Sequence, residues 1–386
     1  MGNVYTQTNE TVNKVINFMQ TGDGRLIEVQ RVATGGMGTN GFVPLTGEKS
    51  GPDSLISANA VIISKDKTYL FAVNAGDNSV SCFTIAMDGS LTLTDTQNTG
   101  NPVMGTSGTA SSLAYSDTDH TLYVSHSFGP DHIRSFSVMN GRLMRRDGSR
   151  SVNLPGMDDR VPTQIALTPD HKFLLACVLF DARPSVAGLV PAAQKNIVTF
   201  PVMPGGMLGE PVFNEAGGVT PFANCFLNGR PDTFVTVLAA ESSAVLSTIA
   251  ANGNIMSTRP SKIDTMIAGS TTEPSEICWV SVTEDNKYAY GANFGYGTVS
   301  AFKIEDNGLV LRMSTAAMEK GDGTFKGLAG IASSGAGDNA IAGPYLYQLY
   351  ANAKKLVGYK IGADGRLTKV TEVPVPYNST QGLAVA

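Results

Sequence analysis

The stretch GADGRL at residues 362–367 decides the fold, because close copies of it return along the chain. TGDGRL stands at residues 21–26 and MNGRL at 139–143. Asp-Gly and Asn-Gly pairs are typical of tight hairpin turns in which the glycine has a positive φ. We therefore interpret the turn glycines as geometric rather than catalytic. They recur at intervals of roughly 47 to 65 residues, each followed within two residues by Leu, Ile or Met: Gly24, Gly89, Gly141, Gly206, Gly253, Gly308 and Gly365.

Two strands with alternating apolar and polar residues precede each turn. In one copy, YLFAVNAG (69–76) leads into SVSCFTIAM (79–87). We name these strands B and C, and the strand after the turn D. Four strands per copy fit the repeat length of a propeller blade. A further strand, A, lies upstream of B in six copies: ANAVIISKD (58–66), ASSLAYSDT (110–118), PTQIALTPD (162–170), PFANCFLNG (221–229), SEICWVSVTED (275–285) and GLAGIASSG (327–335).

The two ends of the chain complement each other. The first copy lacks an A strand, whereas QGLAVA (381–386) follows the last copy with no strand left to pair with it. Pairing the last strand with the first copy removes an exposed sheet edge and closes a ring. The sequence therefore predicts an all-β fold, a seven-bladed β-propeller of four-stranded blades, as a single domain over residues 1–386.

Composition narrows the range of partners. The 386 residues carry a net charge of -5 and no basic run, which argues against a nucleic-acid or anionic-membrane partner. No apolar run is long enough to span a bilayer. A small molecule in the propeller is the expected partner, while the oligomeric state stays open. The compartment also stays open, with secretion after removal of a signal peptide or a cytoplasmic location as the alternatives.

The segment ISKDKTYLFAVNAGDNSVSCFTIAMDGSL (63–91) resembles a family of propeller lactonases. That family includes 6-phosphogluconolactonase and 3-carboxy-cis,cis-muconate lactonising enzyme, and the likeness extends over nearly the whole chain. RVATGG (31–36) before a long glycine-rich loop, together with FAVNAG (71–76), is similar to a branch described as carboxymuconate-cyclase-like. The resemblance implies a small-molecule enzyme, although a propeller hosts many functions.

The resemblance also implies a catalytic set, which this sequence matches only in part. The family is expected to use a His in the loop that enters the fourth A strand, but DDRVPTQIALTPD (158–170) contains none. Glu241 occupies the position of a family Glu after the fifth B strand. Phe294 stands where active members carry an Arg. Half of the expected catalytic set is therefore missing.

In such propellers the B–C turns and the D–A loops converge on one face around the central channel. These segments form a polar and aromatic funnel of a kind that suits small organic ligands. Four side chains are candidate catalytic residues: Glu241, His126, Arg160 and Arg183. Eight more are candidates for binding the substrate: Asn74, Phe128, Phe180, Asn293, Phe294, Tyr296, Tyr350 and Asn352.

Each candidate also has a purely structural interpretation. A carboxylate in a partly dry funnel, such as that of Glu241, can act as a base, but it can equally accept hydrogen bonds from neighbouring backbone amides. His126 can act near neutral pH or serve as a hydrogen-bonding side chain. Aromatic rings in the funnel can stack on a flat substrate or fill space between adjacent blades. These alternatives remain open at the level of sequence.

No metal or cofactor is predicted. Cys82, Cys177, Cys225 and Cys278 lack a C-x-x-C spacing, and we expect them to be mostly buried free thiols. The aspartate pair at 158–159 has no further ligands at a fixed spacing and therefore gives no metal site.

Three functions are compatible with the sequence. The favoured one is a cofactor-independent cyclase of secondary metabolism, which closes a ring by lactonisation or a pericyclic step on a polar metabolite in the funnel. Orientation of the reacting groups alone can lower such a barrier by several kcal/mol. A lactone hydrolase with a rebuilt acid–base pair is the first alternative. A ligand-binding propeller without turnover is the second.

Overall fold

The structure is a computed structural model, which describes residues 2–103, 105–263 and 274–386. Seven antiparallel sheets are arranged in sequence order around a ring, and one 3-10 turn, Ala351–Ala353, interrupts the last of them. The prediction of an all-β, seven-bladed propeller is therefore confirmed. In the part of the chain that the structure describes, no helix has the length and apolar character needed to cross a membrane.

The first three blades have four strands each. Blade one contains β1 (Gly2–Gln7), β2 (Lys14–Gln20), β3 (Leu26–Ala33) and, from the other end of the chain, β31 (Gln381–Val385). Blade two contains β4 (Val61–Ile63), β5 (Tyr69–Asn74), β6 (Ser79–Ile85) and β7 (Leu91–Asn98). Blade three contains β8 (Ala110–Ser116), β9 (Thr121–His126), β10 (Ile133–Met139) and β11 (Arg142–Arg145).

The other four blades follow the same plan, with short additions in blades four and five. Blade four contains β12 (Val161–Leu167), β13 (Phe173–Ser185), β14 (Gly188–Pro191), β15 (Ile197–Met203), β16 (Met207–Leu208) and β17 (Val212–Asn214). Blade five contains β18 (Pro221–Leu227), β19 (Arg230–Leu238), β20 (Ser243–Ile249), β21 (Ile255–Ser257) and β22 (Ser261–Lys262). Blade six contains β23 (Ile277–Val282), β24 (Tyr288–Asn293), β25 (Thr298–Glu305) and β26 (Gly308–Met318). Blade seven contains β27 (Ala336–Ala342), β28 (Tyr345–Tyr350), β29 (Lys355–Ile361) and β30 (Leu367–Pro374).

The ring closes as the sequence predicts. Strand β31 pairs antiparallel with β1, with Val4 opposite Val385 and Thr6 opposite Leu383. The Thr6 hydroxyl also donates to the carbonyl of Gly382 at 2.6 Å. Because the last strand is the inner strand of the first blade, separating the chain ends would expose an unpaired edge on β1.

The recurring turn glycine has two structural causes. All seven have a positive φ, as at Gly24 and Gly365, each at 83°. In four blades, the carbonyl oxygen of this glycine accepts a hydrogen bond from a buried tyrosine on the B strand of the preceding blade. The pairs are Tyr5 with Gly89 (2.8 Å), Tyr123 with Gly206 (2.7 Å), Tyr290 with Gly365 (2.9 Å) and Tyr347 with Gly24 (2.9 Å). The repeated phrase therefore encodes contacts between blades as well as turns.

One strand prediction was wrong. We expected the A strand of blade seven at GLAGIASSG (327–335), but that strand is β27, Ala336–Ala342. Residues 327–335 lie in a loop, where Lys326 and Ala332 form an isolated bridge and Gly330 turns with φ 76°. Asp338 and Asn339 interrupt the apolar pattern of β27 because this strand borders the central channel, which hid it from a search for apolar strands.

The apolar core lies between the blades, and one residue divides the channel. Trp279, on β23, is 2% exposed and packs against Phe222 at a ring-centroid distance of 4.9 Å and Phe294 at 5.9 Å. Its indole N–H donates to the carbonyl of Ser57 from blade two at 3.1 Å. A cavity lies on each side of this indole. We call them the upper cavity, which Phe222 and Phe294 line, and the lower cavity, which Trp279 itself lines.

All four cysteines are free thiols. Cys82, Cys177 and Cys278 are buried and Cys225 is partly buried, in agreement with the sequence prediction. Burial raises the pKa of the thiols, to about 12 for Cys82 and Cys177, so they remain protonated at neutral pH.

Candidate functional site

The upper cavity has a volume of about 300 Å³ and lies between blades four, five and six and a set of covering loops. Residues 43–56, from the loop between blades one and two, form one side of the cover. The hairpin of β13 and β14 forms a second side through Pro184 and Leu189, and residues 325–328 form a third. The site thus combines rigid strand ends with three loop segments, and its volume is at the lower end of the range for ligand pockets.

The walls of the upper cavity are mainly apolar. Aromatic rings from blades four, five and six face it through Phe180, Phe222 and Phe294, and Phe325 of the covering loop stacks on Phe294 with a centroid distance of 4.8 Å. Trp279 packs against Phe222 and Phe294, which line the upper cavity, and itself lines the lower one. Such walls offer few partners for the polar groups of a ligand, whereas the sequence favoured a polar metabolite.

Glu276 is the most informative polar group in this cavity. It directly precedes β23, and its carboxylate accepts a hydrogen bond from the backbone N–H of Leu328 in the covering loop. Gly295 and Gly327 pack so close to this carboxyl that a Cβ on either would collide with it. Burial raises the pKa of Glu276 to about 7, while the hydrogen bond from Leu328 lowers it by a smaller amount. A carboxyl with this pKa can both donate and accept a proton near neutral pH.

Two further carboxyls line the same cavity. Burial raises the pKa of Asp53 well above its usual range, and the nearby charge of Asp338 raises it further, while a hydrogen bond from Gln381 opposes the shift. Glu48, in the covering loop, has its pKa raised by partial burial. Lys326 is the cationic side chain that lines this cavity, and it is exposed. The cavity is therefore acidic as well as apolar.

Several residues that line the upper cavity hold a left-handed backbone conformation. Ile56 has φ 50°, Thr220 has φ 55° and Glu276 has φ 55°. This region is unfavourable for side chains with a Cβ, especially β-branched ones, at a cost of about 1–3 kcal/mol each. The fold holds Thr220 and Glu276 in this conformation directly before the inner strands β18 and β23, where their side chains border the cavity.

The structure brings two of the predicted site residues into the upper cavity, namely Phe180 and Phe294. Phe128 packs behind Phe180, in a cluster with Leu45 and Val161. These three aromatic residues therefore lie at or next to the upper cavity. The sequence could not show which aromatic residues line the cavity and which pack behind them, because the loop conformation decides this.

The predicted basic residues have structural partners. The guanidinium of Arg160 is fully buried, pairs with Asp181 at 2.9 Å and donates to the carbonyls of Val152, Gln194 and Lys195. Arg183 forms an ion pair with Asp159 and lies over the Phe128 ring at 4.2 Å.

His126 is buried at the interface between blades. Its Nε2 is 2.8 Å from the Thr99 hydroxyl and its Nδ1 is 3.1 Å from the carbonyl oxygen of His132. Burial lowers the pKa of His126 to about 4. The imidazole is therefore neutral at physiological pH and occupied on both nitrogens, which is the structural alternative that the sequence left open.

The predicted polar substrate-binding residues mainly support the turns. Asn74, Asn293 and Asn352 are buried and hydrogen-bond to side chains around the B–C turns, as Asn293 does to Thr298 at 3.0 Å and to Ser300 at 2.8 Å. Tyr350 is buried with its hydroxyl 3.1 Å from that of Tyr359. Tyr296 is also buried, at 3% exposure. None of these five residues lines the upper cavity.

Glu241 lies beside the upper cavity without lining it. Its carboxylate accepts a hydrogen bond from the backbone N–H of Val219 at 2.7 Å, while its neighbours Ala239 and Ala240 form part of the wall. The observed contact is the backbone-capping role that the sequence left as an alternative.

We expect Glu241→Gln to leave ligand binding and turnover within about threefold of the wild-type values. The amide oxygen of Gln can still accept from Val219, so the cost in stability should be about 1 kcal/mol, the difference between a hydrogen bond to a charged acceptor and one to a neutral acceptor. Steady-state kinetics and urea denaturation measure the two effects. A hundredfold loss of turnover in this variant would restore Glu241 as a catalytic residue.

Glu276 is the main functional candidate that sequence reasoning missed. The search concentrated on the B–C turns, whereas Glu276 is the last residue before an inner strand. Arg160 and Thr220 occupy the same position before β12 and β18. The sequence did contain one signal for Glu276. It is a polar residue directly before a buried inner strand, and that strand contains the only tryptophan of the chain.

The lower cavity contains another buried carboxyl. Asp338, on β27, is 5% exposed and accepts a hydrogen bond from the backbone N–H of Gly382 in the closing strand at 2.9 Å. Burial raises the pKa of Asp338 to about 7. The folded state therefore retains this proton between about pH 4 and 7, where the unfolded chain releases it, and stability falls as the pH rises through this interval.

We expect Asp338→Asn to remove this loss of stability. Relative to the wild type, the variant should gain roughly 2–4 kcal/mol between pH 4 and pH 8, because the amide carries no proton that depends on folding. Urea denaturation at several pH values gives this difference. Asp364→Asn, in an exposed turn, is the control and should follow the wild-type curve. A constant difference between Asp338→Asn and wild type at all pH values would contradict the expectation.

Within residues 2–103, 105–263 and 274–386, no group of three or more His, Cys, Asp or Glu side chains is arranged to hold a metal ion.

Comparison with known proteins agrees with this fold. A family model described as "Lactonase, 7-bladed beta-propeller" matches residues 3–103. A putative 6-phosphogluconolactonase from Bacteroides fragilis is 16% identical with a TM-score of 0.67, and the alignment covers 100% of this chain and 98% of that one. The periplasmic gluconolactonase of Pseudomonas aeruginosa is 14% identical with a TM-score of 0.68, over 100% and 99% of the two chains. No curated protein sequence matches the chain. These comparisons support the resemblance to propeller lactonases that the sequence predicts, and the fold that they share with this chain is the seven-bladed β-propeller.

Proposed function

We propose that this protein is an enzyme that closes a ring in a small molecule bound in the upper cavity. The observation that carries the proposal is the carboxyl of Glu276, with a pKa of about 7, in the wall of a mainly apolar cavity. Such a cavity can hold the two ends of a flexible substrate close together, which lowers the barrier to an intramolecular reaction by several kcal/mol.

Glu276 would move the proton in this reaction. In its ionised form it accepts the proton of a substrate hydroxyl whose oxygen attacks an electron-poor carbon of the same molecule. In its protonated form it returns a proton to the atom that received the electron pair, so that substrate and product are isomers. A group with a pKa near the working pH serves both steps.

Ring opening by water is the second candidate, supported by the match to the lactonase family model and by the gluconolactonase among the similar structures. We favour ring closure because hydrolysis needs a bound water molecule, and the largely apolar walls offer few groups to orient one.

Mass spectrometry in H₂¹⁸O tests the proposal directly. The purified protein is incubated with a panel of lactones and of linear hydroxy-enone and quinone-methide precursors. Ring closure yields an isomer of unchanged mass, whereas hydrolysis adds one labelled water. Accelerated closure that depends on Glu276 supports the proposal, and accelerated ring opening supports the hydrolase. Ligand binding without either reaction across the panel would leave a binding protein and overturn both.

A further inference from the structure

We infer that the upper cavity takes an uncharged, mainly apolar ligand with one hydrogen-bonding group directed at Glu276, and that it rejects phosphorylated or carboxylated sugar lactones. This inference rests on the proposed function for the location of the site. It goes beyond that function by naming the class of substrate, which differs from the sugar lactones in the names of the similar structures.

The first reason for this inference is the charge of the groups that line the cavity. The titratable groups that line it are Glu48, Asp53, Glu276, Cys278 and Lys326. Three are carboxyls, one is a buried thiol and one is an exposed ammonium group. At pH 8 the ionised Glu276 would repel a bound phosphate or carboxylate. Burial favours the neutral form of Asp53, and the exposed Glu48 and Lys326 are both screened by solvent, so none of the three supplies an effective positive charge.

The nearby guanidinium groups do not supply the missing positive charge. Arg160 is fully buried and its nitrogens contact Asp181 and three backbone carbonyls. Arg183 is paired with Asp159 and lies over the Phe128 ring, and neither Arg183 nor Phe128 lines the cavity. Recruiting either one to an anion would break an existing ion pair.

The second reason for the inference is the apolar character of the cavity walls. Phe180, Phe222 and Phe294 present aromatic surface, and Leu179 and Ile56 extend it. A polyhydroxylated sugar ring would lose water from several hydroxyl groups here, and each hydroxyl left without a partner costs about 1–3 kcal/mol. An apolar ring loses no hydrogen bonds on entry and gains contact with the phenyl groups.

The third reason for the inference is that Glu276 gives the ligand an orientation. One of its oxygens is held by the backbone N–H of Leu328, so the rest of the carboxyl group is the polar feature against which a substrate carbonyl or hydroxyl can pair. A single polar anchor in an apolar wall favours a ligand with one polar edge.

A matched pair of probes tests the inference. Methyl chroman-2-carboxylate and chroman-2-carboxylate share one bicyclic skeleton and differ in charge. Binding is followed at pH 8 by the fluorescence of Trp279, the only tryptophan of the chain, and checked by calorimetry. We expect the ester to bind about a hundredfold more tightly than the acid, since like charges at a desolvated contact cost several kcal/mol. Glucono-δ-lactone and 6-phosphogluconate should not compete with the ester.

Two variants assign the effect to the cavity. Glu276→Gln should narrow the difference between ester and acid about tenfold, because it removes one of the repelling charges. Glu241→Gln, outside the cavity, should leave the difference unchanged. Tighter binding of the acid, competition by 6-phosphogluconate, or no binding of the ester up to its solubility limit would each overturn the inference.

The design separates this inference from the proposed function. Binding of the ester with no turnover of any precursor would support the ligand class and remove the enzyme proposal. Accelerated ring closure of a precursor with no binding of the ester would support the enzyme proposal and overturn the ligand class.

Discussion

Glu276→Gln is expected to lower the rate of the proposed ring-forming reaction by about 10²–10⁴-fold, the usual contribution of a positioned acid or base. The amide fits the same space beneath Gly295 and Gly327, and its oxygen can still accept from the N–H of Leu328. The loss should therefore appear in kcat, with KM and the unfolding midpoint nearly unchanged. Single-turnover kinetics on the accepted precursor, with Glu241→Gln as the matched control, measures it.

The pH dependence gives a second readout of the same residue. Because burial raises the pKa of Glu276 to about 7, the wild-type rate should change across this pH, and Glu276→Gln should lack this step. Burial places the pKa of His126 near 4, so a step near 7 cannot come from that side chain. A rate step that persists in Glu276→Gln would contradict the assignment of the proton transfer to this carboxyl.

Trp279→Ala is expected to lower the free energy of unfolding by about 3–5 kcal/mol, as for other large aromatic residues removed from a core. The indole is 2% exposed, touches Phe222 and Phe294, and reaches across the channel to Ser57. Its loss leaves a void between the upper and lower cavities. Urea denaturation followed by far-UV circular dichroism measures the effect without the lost fluorophore.

Trp279→Phe is the control for this prediction. The phenyl ring keeps part of the packing against Phe222 and Phe294 but loses the hydrogen bond to Ser57, so the cost should be smaller than that of Ala. It should also retain more ligand binding, because these two residues of the upper cavity stay partly supported. Equal destabilisation by Ala and Phe would show that packing of the indole between the cavities is not what stabilises the ring.

The overall fold could be predicted because its signals are local. Six of the seven turn glycines, such as Gly89, follow an acidic or amide residue and are flanked by alternating strands. Such patterns indicate turn geometry and strand period directly. The chain closure was also predictable, since the first copy lacked an A strand and one strand was left over after the last copy. The prediction for the A strand of blade seven was wrong because Asp338 and Asn339 border the channel and break the apolar pattern by which the other A strands were found.

The site was harder to predict because it depends on contacts between distant segments. Phe180 and Phe294 were found, since aromatic residues at B–C turns lie near the channel in any blade. The residues that line the cover, such as Glu48 and Phe325, come from loops whose course no local pattern encodes. Glu276 owes its raised pKa to burial by Gly295 and Gly327, which neighbour it in space through two other segments. The resemblance to the family therefore indicated Glu241 as the candidate acid or base. In the structure, the carboxyl that lines the upper cavity and has a raised pKa is that of Glu276.

The location of the ligand is the most direct test of the upper cavity as the functional site. We would determine the crystal structure of the protein soaked with methyl chroman-2-carboxylate. At a soak pH below the pKa of about 7 of Glu276, the expected result is density for the bicyclic ring against Phe294 and Phe180, with the ester carbonyl accepting a hydrogen bond from the protonated carboxyl of Glu276. Density elsewhere, beside Glu241 and His126 or at the lower mouth of the channel, with an empty upper cavity, would contradict it.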